Sequence, residues 1–394
     1  MVRQNLELAD IVRAHRDDFV ASRQGRISTA ERRVLDDIAT CRTPASGGHV
    51  ERCDRCGYLE IACNSCRNRH CPKCQASARA EWLVERQDEL LPVEYYHVVF
   101  TLPHEFAPLA QQNKKVVYDL LFRAAAETLQ QVAADPKHLG AEIGCLFVLH
   151  TWGQNLDHHP HVHCIVPGGG ISPDGSRWIS CKPGFFLPVR ILSRLFRGKF
   201  LHHLRRAFSD GKLTFHGHLA HLADPVDFRS YLAPLYEKDW VVYAKAPFGG
   251  PQHVLHYLSR YTHRVAIANS RLLSLKDGHV SFTWKDYAHG CRQRVMSLSA
   301  VEFLRRFLLH LLPKGFVRIR HYGFLANRHR AKKLGLCRQL IDVPQQISPG
   351  EEQTSDDHGT ACPKCKRGTM VRILSFAPGE SVPSCHGLQP PDTS

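Results

Sequence analysis

At 394 residues, with 43% hydrophobic and 23% charged residues, the chain has the ordinary globular balance and room for one sizeable core plus one or two small modules. No apolar run approaches the ~18 residues of a membrane span, and Arg3, Glu7, Asp10, Arg13, Asp17 and Asp18 interrupt the N-terminal stretch. That pattern argues against a membrane partner or a secretory leader and predicts a cytoplasmic protein. A formal charge of +15, with 26 histidines counted neutral, favours polyanions, nucleic acid first, because cations beside phosphates release condensed counterions.

Two amphipathic helices are predicted within residues 1–40, around Leu6 to Phe19 and around Val34 to Ile38. The second is opened by Ser28 with Glu31 three residues on, a capping box. A loop from Cys41 to His49 leads into a cysteine cluster, and this first module, residues 1–92, ends near Pro92. A second unit, 93–345, begins with a strand from Tyr95 to Leu102 and a helix over 109–134. Strands at 143–152 and from His159 to Val166 form a hairpin through the polar turn 155–158. A basic helix near 190–208, a strand at 239–245 and a helix starting at Pro251 follow. The hairpin Arg271–Leu275 and His279–Trp284, turned by Lys276-Asp277-Gly278, precedes an amphipathic helix at 298–312. The hairpins make the fold α+β, an antiparallel sheet with packed helices. The polar segment 346–394 is expected to be mostly disordered around one cysteine pair.

Six of the 15 cysteines lie within 53–74, a clustering that signals metal rather than a disulfide framework. The pairs Cys53-x2-Cys56, Cys63-x2-Cys66 and Cys71-x2-Cys74 suit tetrahedral zinc. One partition joins Cys53, Cys56, Cys71 and Cys74 in a ribbon, leaving Cys63, Cys66, His70 and His49 for a second site. The cations Arg67, Arg69 and Lys73 lie among these ligands and are candidates for DNA contact. Cys362-x2-Cys365 with Cys385 and His386 is a further candidate zinc site.

His159, His161 and His163 alternate along a strand and share one face, a candidate metal site. Pro160 fits a strand beginning or edge. On the helix from Pro251, Tyr257 and Tyr261 are four residues apart and lie on one face. The stretch from Arg318 to Lys333 mixes cations such as Arg320 with Tyr322 and other aromatics, a composition suited to single-stranded nucleic acid or to a solvated basic helix.

The segments Ser65-Cys66-Arg67-Asn68-Arg69-His70-Cys71-Pro72-Lys73-Cys74-Gln75, His159-Pro160-His161-Val162-His163, Tyr257-Leu258-Ser259-Arg260-Tyr261, Leu312-Pro313-Lys314-Gly315-Phe316 and Ile319-Arg320-His321-Tyr322-Gly323 together resemble the two-tyrosine HUH-endonuclease transposases of the insertion-sequence ninety-one group. The resemblance runs through nearly the whole chain. It implies an HUH sheet preceded by a zinc-binding domain. In that reading His161 and His163 hold catalytic Mg2+ or Mn2+ and Tyr257 and Tyr261 are nucleophiles; the sequence does not name the third metal ligand, for which His159 and Gln154 are candidates, and a cation such as Arg260 or Arg264 would help ionise the phenol. It further implies structural Zn2+, single-stranded transposon ends as the DNA partner, rolling-circle transposition and association with the nucleoid. The alternative is a zinc-dependent DNA-binding protein without catalysis.

Overall fold

The computed structural model describes residues 6–78, 89–245, 265–286, 290–341 and 360–380. The helix expected from Pro251, with Tyr257, Arg260, Tyr261 and Arg264, lies outside the described residues, as do Cys385 and His386. In chain order the strands are β1 (Gly48–Cys53), β2 (Leu59–Cys63), β3 (Tyr95–Thr101), β4 (Gly144–Trp152), β5 (His158–Pro167), β6 (Gly169–Ile171), β7 (Trp178–Ser180), β8 (Val242–Lys245), β9 (Leu272–Lys276), β10 (His279–Asp286), β11 (Arg292–Ser299), β12 (Ile319–Gly323) and β13 (Met370–Phe376).

The central sheet has the order β12-β4-β5-β3-β8, with every neighbouring pair antiparallel. Strand alternation divides its faces. Tyr96, Val98 and Phe100 of β3, Cys145, Phe147 and Leu149 of β4, and Val162, Cys164 and Val166 of β5 belong to one buried core. Helices Lys114–Ala134 and Val189–Ser209 complete that core with Leu121, Phe122, Phe196 and Phe200. This is the α+β arrangement the hairpins predict. Pro160 lies near the beginning of β5, as a strand-opening proline does, although the strand itself is central in the sheet. Pro160 is tolerated there because the β4–β5 register shifts between His150 and Trp152, and a bulge spares the ladder the N–H that proline lacks.

A second core joins helices Leu8–Ser22 and Thr29–Thr40 to helix Ala300–Leu309 and the meander β9-β10-β11. The expected capping box is present: Ser28 Oγ accepts the Glu31 N–H at 3.2 Å, and the Glu31 carboxylate accepts the Ser28 N–H at 2.8 Å. Asp277 and Gly278, both left-handed at φ 48° and 70°, turn the two-residue β9–β10 hairpin. The N-terminal helices therefore share a core with residues near 300, although the chain pattern groups them with the cysteine module.

Two more elements depart from expectation. The basic stretch from Arg318 opens as β12, paired with β4, before helix Arg330–Leu340 begins. Within the polar segment after 345, residues 370–376 form β13, antiparallel to β1. The sheet β13-β1-β2 is thus built from chain segments more than 300 residues apart.

Candidate functional site

His161 and His163 lie on the β5 face opposite the helical core, and the register sets His150 of β4 directly beside His161. Ligand atoms of His150, His161 and His163 lie within 4.8 Å of one another. Ring centroids are 4.4 Å apart for His150–His163 and 4.8 Å for His161–His163. The residue that converges with His161 and His163 is His150, rather than His159 or Gln154, the expected candidates for a third ligand. His159 shares the face, with its ring 5.4 Å from that of His161, but stands beside the bulge and outside the cluster. Gln154 has turned into the loop, where its backbone carbonyl accepts from Arg271. The signal for His150 was the hairpin pairing itself, which places a histidine of one strand across from the motif on the next.

Neighbouring groups orient the rings. His161 Nδ1–H donates to the backbone carbonyl of His159 at 2.7 Å, which assigns ligation to Nε2. His163 Nδ1 meets His97 Nε2 at 2.8 Å, the two rings nearly parallel. Burial holds His97 down at about 4, so its ring is neutral; in the tautomer with Nε2 unprotonated it accepts the His163 Nδ1–H and leaves His163 Nε2 open to a metal. Trp152 stacks on His150 with centroids 4.6 Å apart. This convergent imidazole set, with His150 and His163 buried and His161 half-buried, fits a divalent cation, and suits a first-row transition ion better than oxygen-seeking Mg2+.

The cysteines divide differently from the expected ribbon. Cys41, Cys66, Cys71 and Cys74 converge, with Sγ–Sγ distances of 3.6 Å for Cys41–Cys74, 3.5 Å for Cys66–Cys74 and 3.6 Å for Cys71–Cys41. Zinc–sulfur bonds of ~2.3 Å set tetrahedral sulfurs about 3.8 Å apart, so the residues fit zinc. Hydrogen bonding from Cys66 pulls the Cys71 thiol down to about 5 while Cys66 itself is pushed far up, since crowded thiolates cannot all ionise without a cation. Cys53 and Cys56 sit elsewhere because β2 carries the chain five residues, roughly 15 Å, away from their turn. Cys63, His49 and His70 join neither cluster. Cys63 ends β2, His49 pairs with Glu51 at 3.1 Å, and His70 is buried and held at about 3 by desolvation and then by Arg318, Arg69 and Lys114. Cys41, at the end of helix Thr29–Thr40, escaped the sequence reading because it stands apart from the paired motifs.

Of the cations expected to meet DNA, Arg67 is exposed. Arg69 donates to the Phe316 carbonyl at 2.7 Å, and Lys73 pairs with Glu7 at 2.5 Å. Arg320 pairs with Asp119 and lies over the Phe122 ring at 4.2 Å, while Tyr322 packs on Phe147 at 4.9 Å. These last four side chains are all engaged within the protein, and β12 sets Arg320 and Tyr322 along the edge of the main core rather than on a solvated helix. Among the described residues, no helix is long and apolar enough to cross a membrane.

Comparison with known proteins bears on this geometry. Residues 11–102 match a family model described as "Transposase zinc-binding domain", and residues 144–333 one described as "Putative transposase". A relative bearing the latter description, y4qJ of Sinorhizobium fredii, is 56% identical over 395 residues, covering 98% of this chain and 99% of its own. The transposase for insertion sequence element IS801 of Pseudomonas savastanoi pv. phaseolicola is 29% identical over 311 residues, 77% of this chain and 72% of that protein. Among solved structures, the conjugative relaxase TrwC in complex with OriT DNA aligns over 62% of this chain and 73% of its own at 14% identity, with a TM-score of 0.23.

Proposed function

We propose, from the premise that this chain belongs to the insertion-sequence ninety-one family of transposases, that it nicks and rejoins single-stranded DNA through a tyrosine–phosphate intermediate during rolling-circle transposition. The observation that carries the reading is the convergence of His150, His161 and His163 on one face of the central hairpin. Zinc at the Cys41, Cys66, Cys71 and Cys74 cluster would be structural.

In this reading His150, His161 and His163 hold the catalytic ion, with Mn2+ better suited than Mg2+ to an imidazole set. When bound, such an ion supplies Lewis-acid charge to a non-bridging phosphate oxygen. His97 and the His159 carbonyl keep the ligand rings aimed. Tyr257 or Tyr261 supplies the nucleophile. Its Oη forms a bond to phosphorus as the bond to the 3′-oxygen breaks; the phenol gives up its proton and the departing 3′-oxygen gains one. A phenol of pKa ~10 needs help to ionise at neutral pH, and Arg260 or Arg264, close to the tyrosines in the sequence, would provide positive charge. The phosphate stays esterified to the tyrosine at its 5′ side, so the reverse attack by a 3′-hydroxyl joins strands without ATP.

The test is covalent trapping. Single-stranded oligonucleotides spanning the ends of the encoding element, incubated with Mn2+, should yield a protein–DNA adduct that survives denaturing electrophoresis. Tyr257→Phe and Tyr261→Phe identify the phenol, and His150→Ala should abolish the adduct while retaining zinc. DNA binding with no adduct under any divalent ion would instead establish a zinc-dependent DNA-binding protein without catalysis.

A further inference from the structure

The cysteines left over from the first zinc cluster belong to two turns that lie far apart in the chain. Cys53 ends β1 and Cys56 lies in the turn after it, while Cys362 and Cys365 precede β13. The four ligand atoms lie within 4.8 Å of one another, with Cys53–Cys365 and Cys56–Cys362 each at 3.7 Å. That spacing is too long for a disulfide, whose sulfurs stand ~2.05 Å apart, and matches the edge of a zinc–sulfur tetrahedron.

The two turns are drawn alike. In each, the residue after the second cysteine is left-handed, Gly57 at φ 69° and Lys366 at φ 56°. Its N–H donates to the carbonyl of the first cysteine, at 3.1 Å from Gly57 to Cys53 and 2.9 Å from Lys366 to Cys362. Backbone N–H groups also point at sulfur: Cys56 N to Cys53 Sγ at 3.4 Å, Cys365 N to Cys362 Sγ at 3.5 Å and Gly368 N to Cys365 Sγ at 3.4 Å. Such bonds stabilise thiolate charge, which packing alone would not require. Gly368 fits against the cluster only because it lacks a side chain, since a Cβ there would come within 2.5 Å of Cys53 Sγ. Asp54 stitches the turns together, its N–H donating to the Thr369 carbonyl at 3.1 Å and its carboxylate accepting the Thr369 N–H at 2.9 Å.

We propose that Cys53, Cys56, Cys362 and Cys365 form a second, four-thiolate zinc site that clasps the segment 360–380 onto the N-terminal module. Its latter two ligands lie well beyond residues 11–102, the extent of the zinc-binding family match. The clasp answers an energetic need. Within β13 only Met370 and Phe376 are buried, while Val371 and Leu374 are 50% and 41% exposed. Two buried side chains do not offset the chain entropy of ordering residues 360–380, and a thiolate-bound ion does. The partners of Cys362 and Cys365 in this site are thus Cys53 and Cys56.

The full-length chain decides this, independently of any nicking activity. Metal analysis should find two tightly held zinc ions per chain, falling to one in Cys362→Ser/Cys365→Ser and to one in Cys53→Ser/Cys56→Ser. Both variants should expose residues 360–380 to limited proteolysis that the parent chain resists. Retention of both ions in either variant, or continued protection of 360–380 after loss of Cys53 and Cys56, overturns the proposal. If a variant precipitates, Co2+ titration of the intact chain serves, because sulfur-to-cobalt charge-transfer absorption counts only thiolate sites. Two equivalents support the clasp and one overturns it.

Discussion

The histidine triad and the thiolate clusters gather ligands by opposite means. His150, His161 and His163 lie on two adjacent strands joined by a short turn, so local register and a packed sheet suffice to bring them together. The thiolates come from a helix end, loops and knuckles: Cys41 meets Cys74, and Cys56 meets Cys362 across 306 positions. The first centre is preformed by hydrophobic packing beneath it. Of the second kind, Cys41, Cys71 and Cys74 sit in the second core, whereas Cys53, Cys56, Cys362 and Cys365 have little packing around them, so that bound metal would supply folding energy there. Loss of a ligand should therefore harm chemistry in one region and architecture in the other.

The largest effect that could break this contrast is at the first cysteine cluster. Cys71→Ser should release zinc and unfold the N-terminal module, since structural zinc contributes ~10–16 kcal/mol in small domains. Zinc content and thermal unfolding report it, and a variant that keeps its melting temperature would contradict the assignment. His150→Ala should do the reverse, lowering adduct formation at least ~100-fold with the zinc content unchanged; replacing His97 with Phe should weaken catalytic-metal binding by ~10–100-fold through misaimed His163. An equal loss of zinc in either histidine variant would erase the distinction.

Acid should act on the packing that joins the regions. Burial, reinforced by neighbouring cations, holds His70, His158 and His310 at about 3, so each is neutral when folded while its unfolded counterpart takes up a proton below ~6.5. Their contribution is fully present above pH ~6.5 and is lost as pH falls toward 3, by up to ~1.4 kcal/mol per pH unit for each group. Urea unfolding between pH 7.5 and 5 should show a shallower acid dependence in His310→Gln than in the parent; identical slopes would refute this. The smallest effect belongs to Arg320→Gln. Loss of its pairing with Asp119 and its place over Phe122 should cost ~1 kcal/mol of stability and leave the salt dependence of single-strand binding unchanged. A reduced salt slope would return Arg320 to the DNA-contacting role its sequence context suggests.

Periodicity made β3, β4, β5 and the Ser28–Glu31 cap legible in the sequence, and alternation along β5 put His161 and His163 on one face, because strand and helix repeats are local properties of a backbone. The same locality hid β11, where arginines and exposed Val295 leave only Met296 and Leu298 as a short alternating apolar face, and β12, whose cations pack along a core edge that belongs to other segments. Metal-ligand identity was legible as residue type, through paired cysteines and alternating histidines. Ligand partnership was not. His150 enters through cross-strand register, Cys41 through the helix that ends beside Cys74, and Cys362 with Cys365 through a strand returning to β1. The first needs only the local register of a hairpin; the other two depend on where distant segments meet, and only tertiary packing decides that.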